Sequence, residues 1–100
     1  MKSMTVYSAV SVDDHAPVSV HELARLCDQQ LEWVITLVQE GVLNLAQQGE
    51  PDKWVFESHY VGRARQVSRL QRDFDVNLEA AALMTDLMEE IRALRAQLGR

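Results

Sequence analysis

In the stretch 20-VHELARLCDQQLEWVITLVQEGVLN-44, two short apolar-periodic runs flank the polar turn Asp28-Gln29-Gln30. Ser19 precedes the first run and Glu22 follows three positions later, the spacing of a capping box, in which a hydroxyl and a carboxylate satisfy free N–H groups at a helix start. Leu23, Leu26 and Cys27 mark the buried face of a short first helix. A second helix is predicted from about Leu31 to Glu40, with Gly41 as the residue that ends it in the left-handed conformation. On a helical wheel Leu31, Val34, Ile35 and Val38 share one face, and Glu32, Trp33, Thr36 and Glu40 share the other. The pattern is a helix-turn-helix, the usual device for laying a helix in the DNA major groove. Its second helix nonetheless carries Glu32 and Glu40 and no Lys or Arg.

On the N-terminal side, Thr5 to Val12 is rich in β-formers and reads as a strand or extended arm, followed by a polar turn from Asp13 to Pro17. On the other side, Val42-Leu43-Asn44-Leu45 and Trp54-Val55-Phe56 are β-like runs joined by 46-AQQGEPDK-53, which predicts a hairpin wing with Trp54 anchoring it to the core. Ser58 stands where it caps a third helix, whose core face is Tyr60, Ala64, Val67, Leu70 and Phe74. Arg63, Arg65, Arg69 and Arg72 fall largely outside that stripe and read as a solvated face. Asn77 caps a last helix from Leu78 to about Leu98, roughly 30 Å long at its rise per residue. Met84, Leu87, Ile91, Leu94 and Leu98 step by three and four along it as a heptad seam. The seam either joins a second copy into a homodimer or covers the domain's own core. Self-association is the preferred reading, because so small a body can hardly wrap the far end of so long a rod. Three units follow: an N-terminal strand or arm over 1–17, a winged helix-turn-helix body over 18–76, and a long C-terminal helix over 77–98.

One hundred residues, 47% hydrophobic and 25% charged, suit a single modest domain. The charge is uneven. Residues 1–57 hold nine acids against three bases, whereas 58–100 hold six acids against seven arginines. A DNA binder needs a basic footprint to neutralise phosphates, and here the half that would read DNA is the acidic one. That balance points to a basic protein partner. No apolar stretch approaches the ~18 residues of a membrane span and none of signal-peptide length follows Met1, so no membrane association and a cytoplasmic location are expected. The single Cys27 excludes an intramolecular disulfide and reads as a small core residue.

Catalytic and cofactor chemistry find no footing. His15, His21 and His59 lack the converging spacing of zinc ligands, Glu89-Glu90 is a helix-surface pair, and there is neither a Gly-rich phosphate loop nor a nucleophile elbow. No enzyme activity, no metal and no cofactor are expected.

The helix-turn-helix, wing and long final helix resemble the MerR regulators. Within that superfamily, 54-WVFESH-59 followed by 74-FDVNLEAAALMTDLMEEIRALRAQL-98 is closely similar to the chaperone modulatory proteins. The resemblance spans about residues 18–98 and implies a mainly α fold with a MerR-like winged helix-turn-helix, a short β-hairpin wing and a possible N-terminal strand. It also implies a function. The family's partner is the J domain of the co-chaperone curved-DNA-binding protein A, whose basic second helix engages Hsp70. Binding there prevents stimulation of Hsp70 and reduces the co-chaperone's DNA binding.

Departures from the DNA-binding members agree. Where they carry an I-R-Y-Y-E segment this chain has Val34, Ile35, Thr36, Leu37 and Val38; Glu40 replaces a basic residue before the glycine; Trp54 replaces the wing's arginine. Each change removes a phosphate contact. Three functions therefore compete. The first is a non-catalytic modulator of a J-domain co-chaperone, meeting its partner through Glu22, Glu32, Trp33, Thr36 and Glu40. The second is a dimeric MerR-type DNA-binding regulator. The third is a dimerisation module or small-molecule sensor, for which no effector domain is recognisable after the long helix. No specific DNA binding is expected. Trp33 is open between a binding hot spot and partial burial against the wing.

Overall fold

The computed structural model describes residues 16–45 and 49–99. Along the chain run β1 (Val18–Ser19), α1 (Val20–Leu26), α2 (Leu31–Gln39), a 3-10 turn (Pro51–Lys53), β2 (Val55–Phe56), α3 (His59–Phe74) and α4 (Leu78–Leu98). The mainly helical fold with its helix-turn-helix is therefore present. The predicted arm over Thr5 to Val12 lies outside the described residues.

The helix-turn-helix owes its sharp corners to two left-handed residues. Asp28 takes φ 57° after α1 and Gly41 takes φ 78° after α2. At the first corner the Gln29 N–H donates to Ala24 O at 2.9 Å and the Asp28 N–H to Arg25 O at 3.1 Å. At the second, Val42 N–H donates to Leu37 O at 2.8 Å and Gly41 N–H to Val38 O at 3.1 Å. Both are Schellman motifs, which satisfy the carbonyls a helix end leaves free. Helix starts are equally local: the Ser19 hydroxyl accepts from Glu22 N–H at 3.1 Å, and Asn77 Oδ1 accepts from Ala80 N–H at 2.8 Å.

The wing departs from the predicted hairpin. Residues 42–45 form no strand, and β2 pairs instead with β1 in an antiparallel register that sets Val18 against Phe56 and Ser19 against Val55. The reason is that Val42 is already committed. Its N–H closes the end of α2, and its carbonyl accepts from Arg63 Nε at 2.9 Å. Leu43 N–H also turns back to Leu37 O, at 3.3 Å. The start of the segment is thus drawn to α2 and Arg63 rather than into a ladder. Trp54 anchors the region as expected: its Nε1–H donates to Gly49 O at 3.1 Å, and its ring meets Phe56 edge-on with centroids 6.4 Å apart.

The core gathers Val20, Leu23, Ala24 and Cys27 from the first helix and its end, Val34 and Leu37 from α2, Phe56 from β2, Ala64, Val67 and Leu70 from α3, and Ala81 from α4, with Val42 and Leu43 closing one side. Two expected core positions fall outside it. Leu26 is 38% exposed and Phe74 61% exposed, because each sits at the end of its helix, past the reach of its neighbours. Leu31, Ile35, Val38 and Tyr60 are half-buried.

Between α1 and α3 the core is closed by a polar relay. Gln29 Nε2 donates to Ser68 Oγ at 2.9 Å, and the Ser68 hydroxyl donates to Cys27 O at 3.0 Å. Burial beside this relay pushes the Cys27 thiol from its ordinary 9.0 up to about 11, with the Arg65 charge drawing it partly back. The fold therefore favours the neutral thiol, and its stability should hold below pH 9.0 and fall as pH rises toward 11. At pH 8, labelling of Cys27 with an aromatic disulfide reagent should be slow and should accelerate only as urea populates the unfolded chain. Fast labelling in the absence of urea would show that the thiol is accessible in the native state.

Candidate protein-interaction site

Of the polar face predicted for α2, the two carboxylates lie at the surface and Trp33 and Thr36 are half-buried. Glu32, Gln39 and Glu40 are exposed, Thr36 is half-buried, and the Thr36 hydroxyl donates to Glu32 O at 2.9 Å, four residues back. Glu32, Thr36 and Glu40 lie at steps of four and form one line along the helix. Glu22 is exposed on α1 and lies 3.5 Å from Arg25 within its own helix, so it is a member of the acidic surface already partly neutralised. No basic residue occupies the last turn of α2.

Trp33 sits differently from its place on the wheel. It is half-buried, packed against the core, and its Nε1–H donates to Gln71 Oε1 on α3 at 2.8 Å. It is thus partly buried and tied to α3 by that bond, with part of the ring left at the surface. The sequence signal for this brace was slight: Gln71 lies four residues after Val67, one turn further along the buried side of α3.

The arginines of α3 divide. Arg65, Arg69 and Arg72 are exposed, and Arg69 donates to Gln66. Arg63 is not part of a solvated face. Its side chain is only 17% exposed, with Nε on Val42 O at 2.9 Å, one terminal nitrogen on Asp86 at 2.6 Å and the other on Glu89 at 2.8 Å. Burial alone would lower its pKa, but the hydrogen bonds and charges of the two carboxylates outweigh that and hold it above its ordinary value. Glu89, expected as one of a plain surface pair, is thus a structural partner.

This clamp frames a groove of about 230 Å³ between the end of α2 and the first half of α4. Val42, Leu78, Ala82 and Leu83 give it an apolar floor, and Glu40, Glu79 and Asp86 give it a rim. Sequence reasoning found only Glu40 among these, because the groove joins segments about forty residues apart.

On α4, Met84 is half-buried and packs on the core, whereas Leu87, Ile91, Leu94 and Leu98 are exposed, by 54%, 48%, 49% and 85%. Leu83, at 59%, extends the exposed stripe one turn earlier. At about 100° per residue this stripe lies roughly 150° round the helix from the core-facing Leu78, Ala81 and Thr85. Its members from Leu87 onward therefore do not cover the domain's own core.

The two described histidines, His21 and His59, join no metal-binding group. His59 lies 3.4 Å from Glu57 and stacks on Tyr60, while His21 is exposed on α1. Among the described residues no group of three or more His, Cys, Asp or Glu could hold a metal ion, and no helix is long and apolar enough to cross a membrane.

Replacing Arg63 tests the clamp. Its carboxylate partners are 59% and 44% exposed, so those ion pairs contribute little. The bond to the Val42 carbonyl dominates, and Arg63→Met should cost about 1–3 kcal/mol in urea unfolding. Arg63→Lys should recover less than half, since an ammonium cannot serve three separated acceptors in the fixed fork of a guanidinium. A loss below about 0.5 kcal/mol for Arg63→Met would mean that water replaces the clamp.

Known proteins align with this arrangement. The family described as MerR HTH family regulatory protein matches residues 18–100. A chaperone modulatory protein CbpM of Pseudomonas entomophila (strain L48) is 25% identical over 80 residues, which cover 80% of this chain and 78% of that protein. A protein of the same name from Pseudomonas putida (strain W619) is 22% identical over the same share of both chains.

Proposed function

We propose, for a chain that belongs to the MerR HTH regulatory protein family and resembles the chaperone modulatory proteins, that it binds the J domain of a co-chaperone of the curved-DNA-binding-protein-A type. It is a chaperone modulator without catalysis of its own. The observation that carries the reading is the surface of α2: where a DNA reader places cations, this helix exposes Glu32 and Glu40 and has no Lys or Arg.

The physical action is occupancy. The basic helix of a J domain is the element that Hsp70 must reach, and a rigid acidic surface bound there excludes it. It also hides cations that the co-chaperone would use on DNA. Charge on the rim accelerates encounter, while the desolvated centre sets the lifetime of the complex. Glu22, Glu32 and Glu40 steer in this scheme. Thr36 sits between the carboxylates, and the exposed part of Trp33 supplies apolar contact beside them.

A dimer accompanies this function. Leu87, Ile91, Leu94 and Leu98 form an exposed apolar stripe among the described residues, and acids and bases segregate along α4, with Glu79, Asp86, Glu89 and Glu90 preceding Arg92 and Arg95. Antiparallel pairing sets the basic end of one helix against the acidic part of the other, whereas parallel pairing would juxtapose like charges.

One observation favours the DNA-binding reading. Arg65, Arg69 and Arg72 are exposed within one face of α3. Three cations neutralise few phosphates, so they support weak, salt-sensitive association and no sequence readout.

Surface plasmon resonance against an isolated J domain tests the function. Glu32→Lys should mainly slow association and flatten its salt dependence. Trp33→Ala should mainly speed dissociation, at a cost of about 2 kcal/mol in affinity. A wild-type protein that ignores the J domain but holds a specific DNA duplex at nanomolar concentration and ~0.15 M salt would reverse the order of the two readings. Light scattering tests the dimer. Ile91→Asp, which buries a charge in the seam, should leave only monomer; a wild type that is monomeric at high micromolar concentration refutes self-association.

A further inference from the structure

Helix α2 ends against its own electrostatics. A helix C-terminus carries partial negative charge and favours a cation, yet the last turn of α2 holds no base and its C-cap is Glu40. Directly beside it lies the groove floored by Val42, Leu78, Ala82 and Leu83. On the opposite lip stands Glu79, in the first turn of α4. No basic side chain lines this groove. Asp86, the third carboxylate of the rim, is engaged by Arg63, while Glu40 and Glu79 have no cation partner among the described residues.

We propose that the groove between the end of α2 and the first half of α4 is the seat of a basic amphipathic helix from a partner protein. Its apolar side chains enter the floor between Val42 and Leu83, and its Lys or Arg side chains lie on Glu40 and Glu79. This deepens the J-domain reading, on which it rests for the partner's identity, by moving the centre of contact from the outward face of α2 to its end.

Three features select that occupant. At about 230 Å³ the groove is smaller than the ~300–1,000 Å³ of pockets that enclose cofactors, and suits one or two protruding side chains. An apolar centre with a charged rim of one sign matches a helix that alternates apolar and basic faces. A cation arriving at Glu40 also relieves the repulsion between that carboxylate and the α2 terminus, an interaction gained only in the complex.

The same electrostatics supply a distinctive test. Glu40→Lys places a cation at a helix C-terminus and should leave the thermal midpoint of the free protein unchanged or raised, whereas Glu79→Lys places one at a helix N-terminus and should lower it. Both should weaken binding about tenfold. Loss of affinity by general destabilisation cannot produce that combination.

Two probes, an isolated J domain and a designed lysine–leucine helical peptide, are titrated into the isotope-labelled full-length protein while backbone chemical shifts are followed. The proposal expects shifts at Val42, Glu79, Ala82 and Leu83, with both reversals weakening the complex. If the J domain binds but the shifts fall elsewhere and both reversals leave Kd within about twofold, the groove is refuted and the modulator function stands. If the peptide occupies the groove and loses affinity in both variants while the J domain does not bind, the groove stands and the J-domain reading falls. Shifts at Glu40, Val42 and Glu79, away from the α4 stripe, that appear on concentrating the protein alone would identify a second copy as the occupant and refute the proposal. Binding of neither probe refutes it as well.

Discussion

The guanidinium of Arg63 answers to two distant segments of chain at once. It takes the carbonyl of Val42 just past α2 and, with its two remaining nitrogens, Asp86 and Glu89 on α4. A helical body of this size has few places where its last helix can be registered against the helix-turn-helix. Ala81 and Thr85 of α4 are fully buried and Leu78, Ala82 and Met84 pack beside them, so apolar contact holds the first part of the helix. The directional bonds of Arg63 add a fixed orientation to that contact. They also consume the carbonyl that a hairpin at residues 42–45 would have required, so the clamp and the altered strand pairing are two sides of one choice.

The acidic face depends on further braces. Trp33 hydrogen-bonds to Gln71, and Gln29 reaches Cys27 O through Ser68, so the turn and α2 are each tied to α3 by a polar link as well as by packing. Buried polar links cost more to misplace than apolar contacts, and therefore fix a single arrangement. For a surface that must meet a partner, rigidity before binding lowers the entropy lost on binding. An adapted helix-turn-helix is well suited to this. The scaffold that holds a helix firm against a DNA groove holds it equally firm against a protein.

Much of this was legible in the residues. Ser19, Asn77 and Gly41 act through atoms within a few positions of themselves, so the ends of α1, α2 and α4 could be read directly. Exposed charges such as Glu32 and Glu40 announce their own solvation. What could not be read depends on how far neighbours extend. A wheel puts Leu26 and Phe74 on the inner face of their helices but says nothing of where the opposing helix stops. The partner of a two-residue strand is equally unmarked, and nothing near Arg63 in the sequence shows that it will be drawn from the solvated face by a carbonyl 21 residues away. The groove was invisible for the same reason, being formed where the segment just past α2 comes beside the first half of α4.

From Asp86 onward every described residue of α4 is exposed. Beyond Glu89, the last carboxylate held by Arg63, the exposed helix rests on its own backbone bonds. An isolated helical segment of about ten residues is marginal in water. This end of α4 therefore frays more readily than the packed body, and it presents Ile91, Leu94 and Leu98 to solvent. Were two copies to pair through this stripe as proposed, shielding of this end would rise with the protein's concentration.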